Sequence, residues 1–543
     1  MVFKLKWQGE LFNFKGISKH RSRPSQFLCL FTSSLAHAKI TTMKRYYKRI
    51  IFILCFTVMY LGCSDTDAAL EGLKPDQNKK HIISLAELYS YIKEYSPFLN
   101  NAILNNLNEK YFELSNKIMY ESDKYKIYTY FEELLAVIND GHAAVFYEQG
   151  SKSPFYFLPV GLDYADGKYY LLYKENNIKI PLGSELIKIN DEDVQKYLLN
   201  NIAKYIPVKT PHAFENSMIK RFLYSSQNKK IKFTFEVDKN EVNLELKYSI
   251  PSEKIGNIKF NKIPDYYDKL NKIYSSRNFS IYSIKEKYAL IQIHSFLDYH
   301  IIDEFIEKII LLLENFDHLI LDIRKNSGGN SNIGFVILKI LTGKTDPEIS
   351  SVNIKDFQRR LSPVLITLTE IKDKNLKVIN HDTLTKLNSF ISDGKLMKAH
   401  QLLMPAEEDK ILQQIDNFLM QSNGVEELEK KLISAANKCK IENKDITVFT
   451  SYKSGSACDN FACFCKELNI RLIGTNTKGA TGNIGIFKLT NNFSIVLSLH
   501  KTMYNNIEIN NKGISPDVFI MDTIEDIKNQ NDPCLNFVLK GRF

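Results

Sequence analysis

The sequence predicts a multidomain α/β protein, α+β in its overall arrangement: an N-terminal helical subdomain, a small β domain, and a β-α-β core. Three observations carry this. Apolar residues recur at threes and fours between Ile82 and Ile138, short strand-length runs fill 155–250, and from Tyr288 strands alternate with an amphipathic helix. The last pattern predicts parallel pairing, because two parallel neighbours must be joined by a crossover long enough to hold a helix.

Residues 1–62 read as a leader. Met43-Lys-Arg-Tyr-Tyr-Lys-Arg49 is a basic stretch, Ile50 to Tyr60 is an apolar run too short to span a bilayer comfortably, and Leu61-Gly62-Cys63 resembles a bacterial lipoprotein cleavage box. Residues 43–62 are therefore expected to be an export signal, with translation starting at Met43 and a lipid on Cys63. An uncleaved signal anchor is the alternative. Residues 63–80, polar and charged, suit a tether between that anchor and a folded body.

The leader also explains the charge. It holds eleven Lys/Arg and one Glu, which accounts for the whole net charge of +10, so the remaining 481 residues balance at zero. Binding to nucleic acid by counterion release needs a concentrated basic surface, and a neutral chain offers none; no nucleic-acid partner is expected. Cysteine spacing shows neither Cys-x-x-Cys nor nearby paired histidines, so no metal site and no cofactor are expected. Cys458, Cys463 and Cys465 read as small core residues, and a disulfide among Cys439, Cys458, Cys463, Cys465 and Cys534 stays open.

The helical subdomain, 81–150, carries Leu85, Leu88 and Ile92, then Leu104, Leu107 and Leu114, then Phe131, Leu134 and Ile138 on its apolar faces. It stops at Asn139-Asp140-Gly141-His142, where glycine ends a helix, and Ala143 to Tyr147 starts a strand. Within the β domain, 151–255, Leu182-Gly-Ser-Glu-Leu-Ile-Lys-Ile-Asn190 resembles the turn of a PDZ domain, with Asp191 where a glycine is usual. A PDZ-like module captures an extended peptide by strand addition, which makes Leu182 and Gly183 candidate substrate-binding residues.

The core is assigned to 280–345 and 446–525, separated by a Lys/Glu-rich insert, 346–445, read as mostly helical. Within it, His318-Leu-Ile-Leu-Asp-Ile-Arg-Lys-Asn-Ser-Gly-Gly-Asn330 is a strand running into a glycine-rich turn, with Asp322 and Arg324 expected to pair and hold it. Val448 to Lys466 reads as a strand, a small-residue turn and a helix starting at or just after Ser456. A serine there can cap the helix. It can also act chemically, since the unpaired N–H groups and dipole of a helix N-terminus favour developing negative charge. Ile473 to Gly482 is another strand and turn, and Lys512-Gly-Ile-Ser-Pro-Asp517 closes the segment.

In this order, these stretches resemble the tail-specific (C-terminal processing) serine peptidases and the related tricorn core, over about Ser84 to Val518 apart from the insert. The resemblance implies a catalytic core of ClpP/crotonase-like type in which Ser456 is the nucleophile and the N–H groups of Ala457 and Gly328 or Gly329 form the oxyanion hole. The Asp-Gly-His turn resembles the Ser-His branch, making His142 the general base; the Ser-Lys branch would place its lysine where Ala480 stands, with Lys478 two residues away. Either Glu508 or Asn510 would orient the base, and His500 is a further candidate base. The implied function is a serine endopeptidase cutting exported polypeptides, at unstructured or C-terminal segments. A lipid-anchored peptide-binding protein on the same fold, and an esterase or amidase using the same groups, are the alternatives.

Overall fold

The computed structural model describes residues 3–7, 10–14, 75–147, 155–226, 228–298, 300–342, 358–361, 444–504 and 507–541. The chain divides into two compact units, 1–73 and 74–543. In the first, strands β1 (Phe3–Trp7) and β2 (Glu10–Phe14) form an antiparallel hairpin. The lipoprotein box with Cys63, and all of the insert except 358–361 and 444–445, lie outside the described residues. No described helix is long and apolar enough to cross a membrane.

The second unit begins with helices α1 (Pro75–Tyr95), α2 (Asn101–Ile118) and α3 (Lys124–Ala136). Asn100 Oδ1 accepts the N–H of Ile103 at 2.9 Å and Asp123 Oδ1 that of Tyr125 at 2.8 Å, satisfying backbone donors that α2 and α3 would otherwise leave unpaired. The stripe read from the sequence is buried: Leu85, Leu88, Ile92, Leu107, Leu114, Phe131 and Leu134 have no exposed surface. Its packing partner was not legible in the sequence. The three helices share one core with Phe487, Phe493, Ile495 and Leu497, which come from strands more than 300 residues further on. Strand β3 (Ala144–Tyr147) completes that layer by pairing antiparallel with Phe493–Ser498, itself paired with Ile484–Lys488.

The β domain is a mixed-length antiparallel sheet whose main strands are β4 (Val160–Ala165), β5 (Lys168–Lys174), β6 (Glu185–Ile189), β7 (Lys230–Val237) and β8 (Asn240–Lys247). Helix α4 (Pro211–Phe222) packs on it, with Met218, Ile219 and Phe222 in the same core as Leu162, Phe233 and Phe235. Asn190 and Asp191, at φ 49° and 64°, make a two-residue hairpin turn between Ile189 and Glu192. Asn and Asp are the side chains that best tolerate this left-handed backbone, and Asp191 also pairs with Lys232 at 2.6 Å, so the missing glycine is no obstacle to the turn.

The core sheet runs in the order β9 (Asn271–Ser275), β10 (Phe279–Ile284), β11 (Tyr288–Ile293), β12 (His318–Asp322), then Asp445–Thr450, Arg471–Gly474 and Val518–Phe519. The first two pairings are antiparallel and all from β11 onward are parallel, as the strand-helix alternation requires. Helix α5 (Ser331–Thr342) follows the glycine turn. Of the insert, Gln358–Leu361 is a strand, β13, antiparallel to His500–Tyr504; at these four residues the expected helix is replaced by a sheet edge. The remaining core strands are β14 (Asp445–Thr450), β15 (Arg471–Gly474), β16 (Ile484–Lys488), β17 (Phe493–Ser498) and β18 (His500–Tyr504). Between β14 and β15 lies α6 (Ala457–Glu467), whose Phe461 lies against Gly334 of α5 and sits 5.5 Å from the ring of Phe296. Cys458, Cys463 and Cys465 are buried in this core and, with Cys534, are free thiols; Cys439 lies outside the described residues.

Candidate active site

Ser456 stands at the junction of β14 and α6, half-buried, at φ 58° and ψ −116°. A residue with a Cβ rarely adopts this backbone, which costs about 1–3 kcal/mol and must be enforced from outside. The enforcement is visible. Ser451 Oγ donates to Arg324 O at 2.6 Å, Ser454 Oγ to Ile323 O at 2.8 Å, and the Ser456 N–H to Ala480 O at 2.8 Å. The side chain makes no capping bond to the helix; the Ser456 carbonyl instead accepts the N–H of Asp459. The capping alternative is therefore not what this serine does.

Gly328 lies directly against it. A Cβ at Gly328, whose φ is +114°, would fall 2.6 Å from Ser456 Cβ, 2.7 Å from Gly455 O and 3.1 Å from Ala457 N, so only glycine fits. Its own N–H donates to Asn326 Oδ1 at 2.8 Å. Of the two alternatives for an oxyanion donor, Gly328 is thus already engaged, and Gly329 is the one whose N–H has no acceptor among the described residues. The spacing Asn-x-Gly is an Asx turn and could have been read from sequence. Asp322 and Arg324 do pair, at 2.6 Å, and Arg324 reaches further, to Asp532 at 2.7 Å, while the Tyr267 hydroxyl donates to Asp322 at 2.6 Å.

His142 comes to the same place through Ala480. A Cβ on Gly141 would lie 2.7 Å from Ala480 Cβ, so the Asp-Gly-His turn rests on the residue whose carbonyl holds Ser456. His142 Nδ1 lies 3.1 Å from Ser498 Oγ. Burial lowers its pKa to about 4, helped by the positive charge of Lys478 and opposed by a hydrogen bond to the Thr481 backbone. The ring is therefore neutral at ordinary pH, as a base must be.

Neither expected orienting residue is on that ring. Glu508 pairs with Lys501 at 3.0 Å, and Asn510 exchanges bonds with Thr481, accepting from its hydroxyl at 2.7 Å and donating to its carbonyl at 3.2 Å. The buried group behind His142 is Asp140. Its carboxylate accepts the His142 N–H at 3.0 Å, the Ser498 N–H at 2.7 Å and the Ser498 hydroxyl at 2.7 Å. His500, the further candidate base, is buried in β18 with Nδ1 facing the Asn483 N–H at 3.4 Å.

Asp459 was not singled out from sequence, and Lys478 was named there only as the lysine near the position of the Ser-Lys branch. The Lys478 side chain lies across Gly455, whose added Cβ would meet its Cδ at 3.0 Å, and its ammonium makes no hydrogen bond or ion pair among the described residues. Burial lowers its pKa against the pull of Asp459 and Asp140. Asp459, in the first turn of α6, accepts the N–H groups of Gly479 and Ala480 at 2.9 and 3.0 Å, clamping the turn that carries Ala480; burial pushes its carboxyl up to about 6. Gly183 is not open to a peptide terminus: its N–H donates to Leu171 O at 2.8 Å, and its α-carbon faces the side chain of Lys528; Leu182 is partly buried against the β-domain core.

A parallel α/β core with a strained serine between a strand and a helix, in contact with a glycine-rich turn, is an arrangement that serine hydrolases use. Residues 287–520 match the family model described as Peptidase family S41, so that stretch carries a peptidase domain. No curated protein is matched. Among solved structures, mature CPAF is similar at 16% identity and a TM-score of 0.58, covering 86% of this chain and 96% of that one. The complex of mature CPAF with lactacystin is similar at 16% identity and 0.56, covering 86% and 98%. A CPAF mutant is similar at 14% and 0.53, covering 83% and 95%. At these identities the likeness shows a shared fold, and it extends beyond the matched domain into the β domain and the N-terminal helices.

Proposed function

We propose that the chain is a Ser-His endopeptidase in which Ser456 attacks the scissile amide. His142 takes the Ser456 proton at Nε2, the ring nitrogen not engaged by Ser498, and returns it to the leaving amine as the C–N bond breaks. Water then repeats the sequence on the acyl-serine. The Ala457 N–H, at the first position of α6, stabilises the oxyanion, and Gly329 rather than Gly328 is the second donor. The observation that carries this is the backbone of Ser456, held at φ 58° by bonds to two neighbouring segments, Ile323–Arg324 and Ala480, with its hydroxyl excluded from capping.

Unstructured or C-terminal segments of exported polypeptides are the proposed substrates, and an envelope-facing lipid anchor at Cys63 the proposed location; the basic-then-apolar run ending in Leu61-Gly62-Cys63 supports both. The test is digestion of an unstructured polypeptide by the full chain, Ser456→Ala and His142→Ala, with products read by mass. Loss of cleavage by roughly four to six orders of magnitude in both variants is expected. Cleavage surviving in Ser456→Ala overturns the nucleophile, and binding without cleavage by all three makes the chain a peptide receptor. For the anchor, palmitate labelling should be lost in Cys63→Ala, and an unlabelled wild type overturns it.

A further inference from the structure

We infer that Ser498 and Asp140 form a two-residue relay that positions His142 as the base, in the place where Glu508 or Asn510 was expected. The inference rests on the Ser-His reading above. Ser498 Oγ has a single proton. Its acceptors are Asp140 Oδ1 at 2.7 Å and Thr481 O at 3.3 Å, and the shorter, charged one takes it. A lone pair of Ser498 Oγ then faces His142 Nδ1 at 3.1 Å, so Nδ1 carries the ring's proton and donates it. Nε2 is left as the lone-pair nitrogen, the tautomer a general base requires.

Asp140 acts without receiving a proton. Burial raises its pKa, and the three donors that converge on its two oxygens, with the charge of Lys478, oppose that shift and favour the carboxylate. Two of them are the backbone N–H groups of His142 and Ser498, so the carboxylate also fixes where the imidazole and the bridging hydroxyl stand. When Ser456 passes its proton to Nε2, the charge that appears on the ring meets a hydroxyl dipole oriented by an anion. Lys478 opposes it, and the charge of Lys478 is itself favoured by Asp459 and Asp140. Ser498 is a positioning residue, since it touches the base and not the substrate.

The test uses the full chain and denatured casein as substrate. Ser498→Ala removes the hydroxyl yet keeps the Ser498 backbone bond to Asp140, so the turn is retained. The expected result is a fall in kcat of about 100-fold or more with KM little changed, as for a base set in the wrong tautomer. Ser498→Thr, which keeps the hydroxyl, should recover most of it. Asp140→Asn should cost at least as much, and the double variant no more than the worse single one. Nitrogen NMR of His142 should show the Nδ1–H tautomer in wild type and its loss in Ser498→Ala. A Ser498→Ala enzyme with wild-type kcat and tautomer overturns the relay while leaving the Ser-His reading intact. A fully active His142→Ala overturns both.

Discussion

His142 and Gly328 are the two residues whose surroundings make the sharpest demands. With its pKa at about 4, the imidazole is neutral above that value, so kcat/KM is expected to rise through pH 4 and stay level across neutrality. Lys478→Met removes a nearby positive charge, which eases protonation of the ring and should move the acid limb to higher pH; a pH-rate profile of both proteins checks the sign. Stability has a linked dependence. An unfolded histidine binds a proton below about pH 6.5 while the folded ring does not until about 4, so stability from this group falls on acidification through that window. Gly328→Ala would drive a methyl group to 2.6 Å from Ser456 Cβ at a φ that disfavours any side chain. We expect cleavage to drop about 100-fold or more with unchanged circular dichroism, since displacement of the nucleophile by under 1 Å suffices for such a loss.

At the scale of elements, the turn after β12 is held by a buried ion triad. Arg324 lies between Asp322, on its own strand end, and Asp532, which also caps helix α7 (Pro533–Leu539) by accepting the Leu535 N–H at 3.1 Å. Removing the cation leaves two buried carboxylates facing each other. Arg324→Met should therefore cost about 3–5 kcal/mol, read as a lower urea midpoint, and should loosen the C-terminal helix first. The same logic explains why Asp322 and Arg324 could be paired on paper while Asp532 could not: the first two are two residues apart where β12 runs into its turn, and the third is 208 positions from Arg324.

Across the second unit, the three parts are joined by bonds that also support the site. Arg221 of α4 pairs with Glu132 of α3 at 2.7 Å and lies over the rings of Tyr125, Tyr205 and Tyr224, linking the β domain to the helices. The Tyr452 hydroxyl, four residues before Ser456, donates to Tyr164 O at 2.6 Å and links the β domain to the nucleophile turn. Arg221→Ala should lower stability by about 3–5 kcal/mol, because it strands a buried carboxylate. Tyr452→Phe should cost only about 1 kcal/mol in stability; a larger loss in kcat/KM than in stability would show the β domain supporting the nucleophile.

What the sequence determined by itself is local. Apolar periodicity placed the N-terminal helices, strand-helix alternation dictated the parallel core, and the small-residue turn between a strand and a helix singled out Ser456, because each of these depends on neighbours within a few residues. The tertiary structure decided the rest. The Asp140 carboxylate and the Ser498 hydroxyl are 358 positions apart and meet only because β3 pairs with β17, a register no local pattern encodes. For the same reason the helices' core partners, the clamp of Asp459 on Ala480, and the engagement of the Gly183 N–H were invisible in the chain. Long-range pairing depends on which surfaces remain to be buried once all the elements exist, and that is a property of the folded whole.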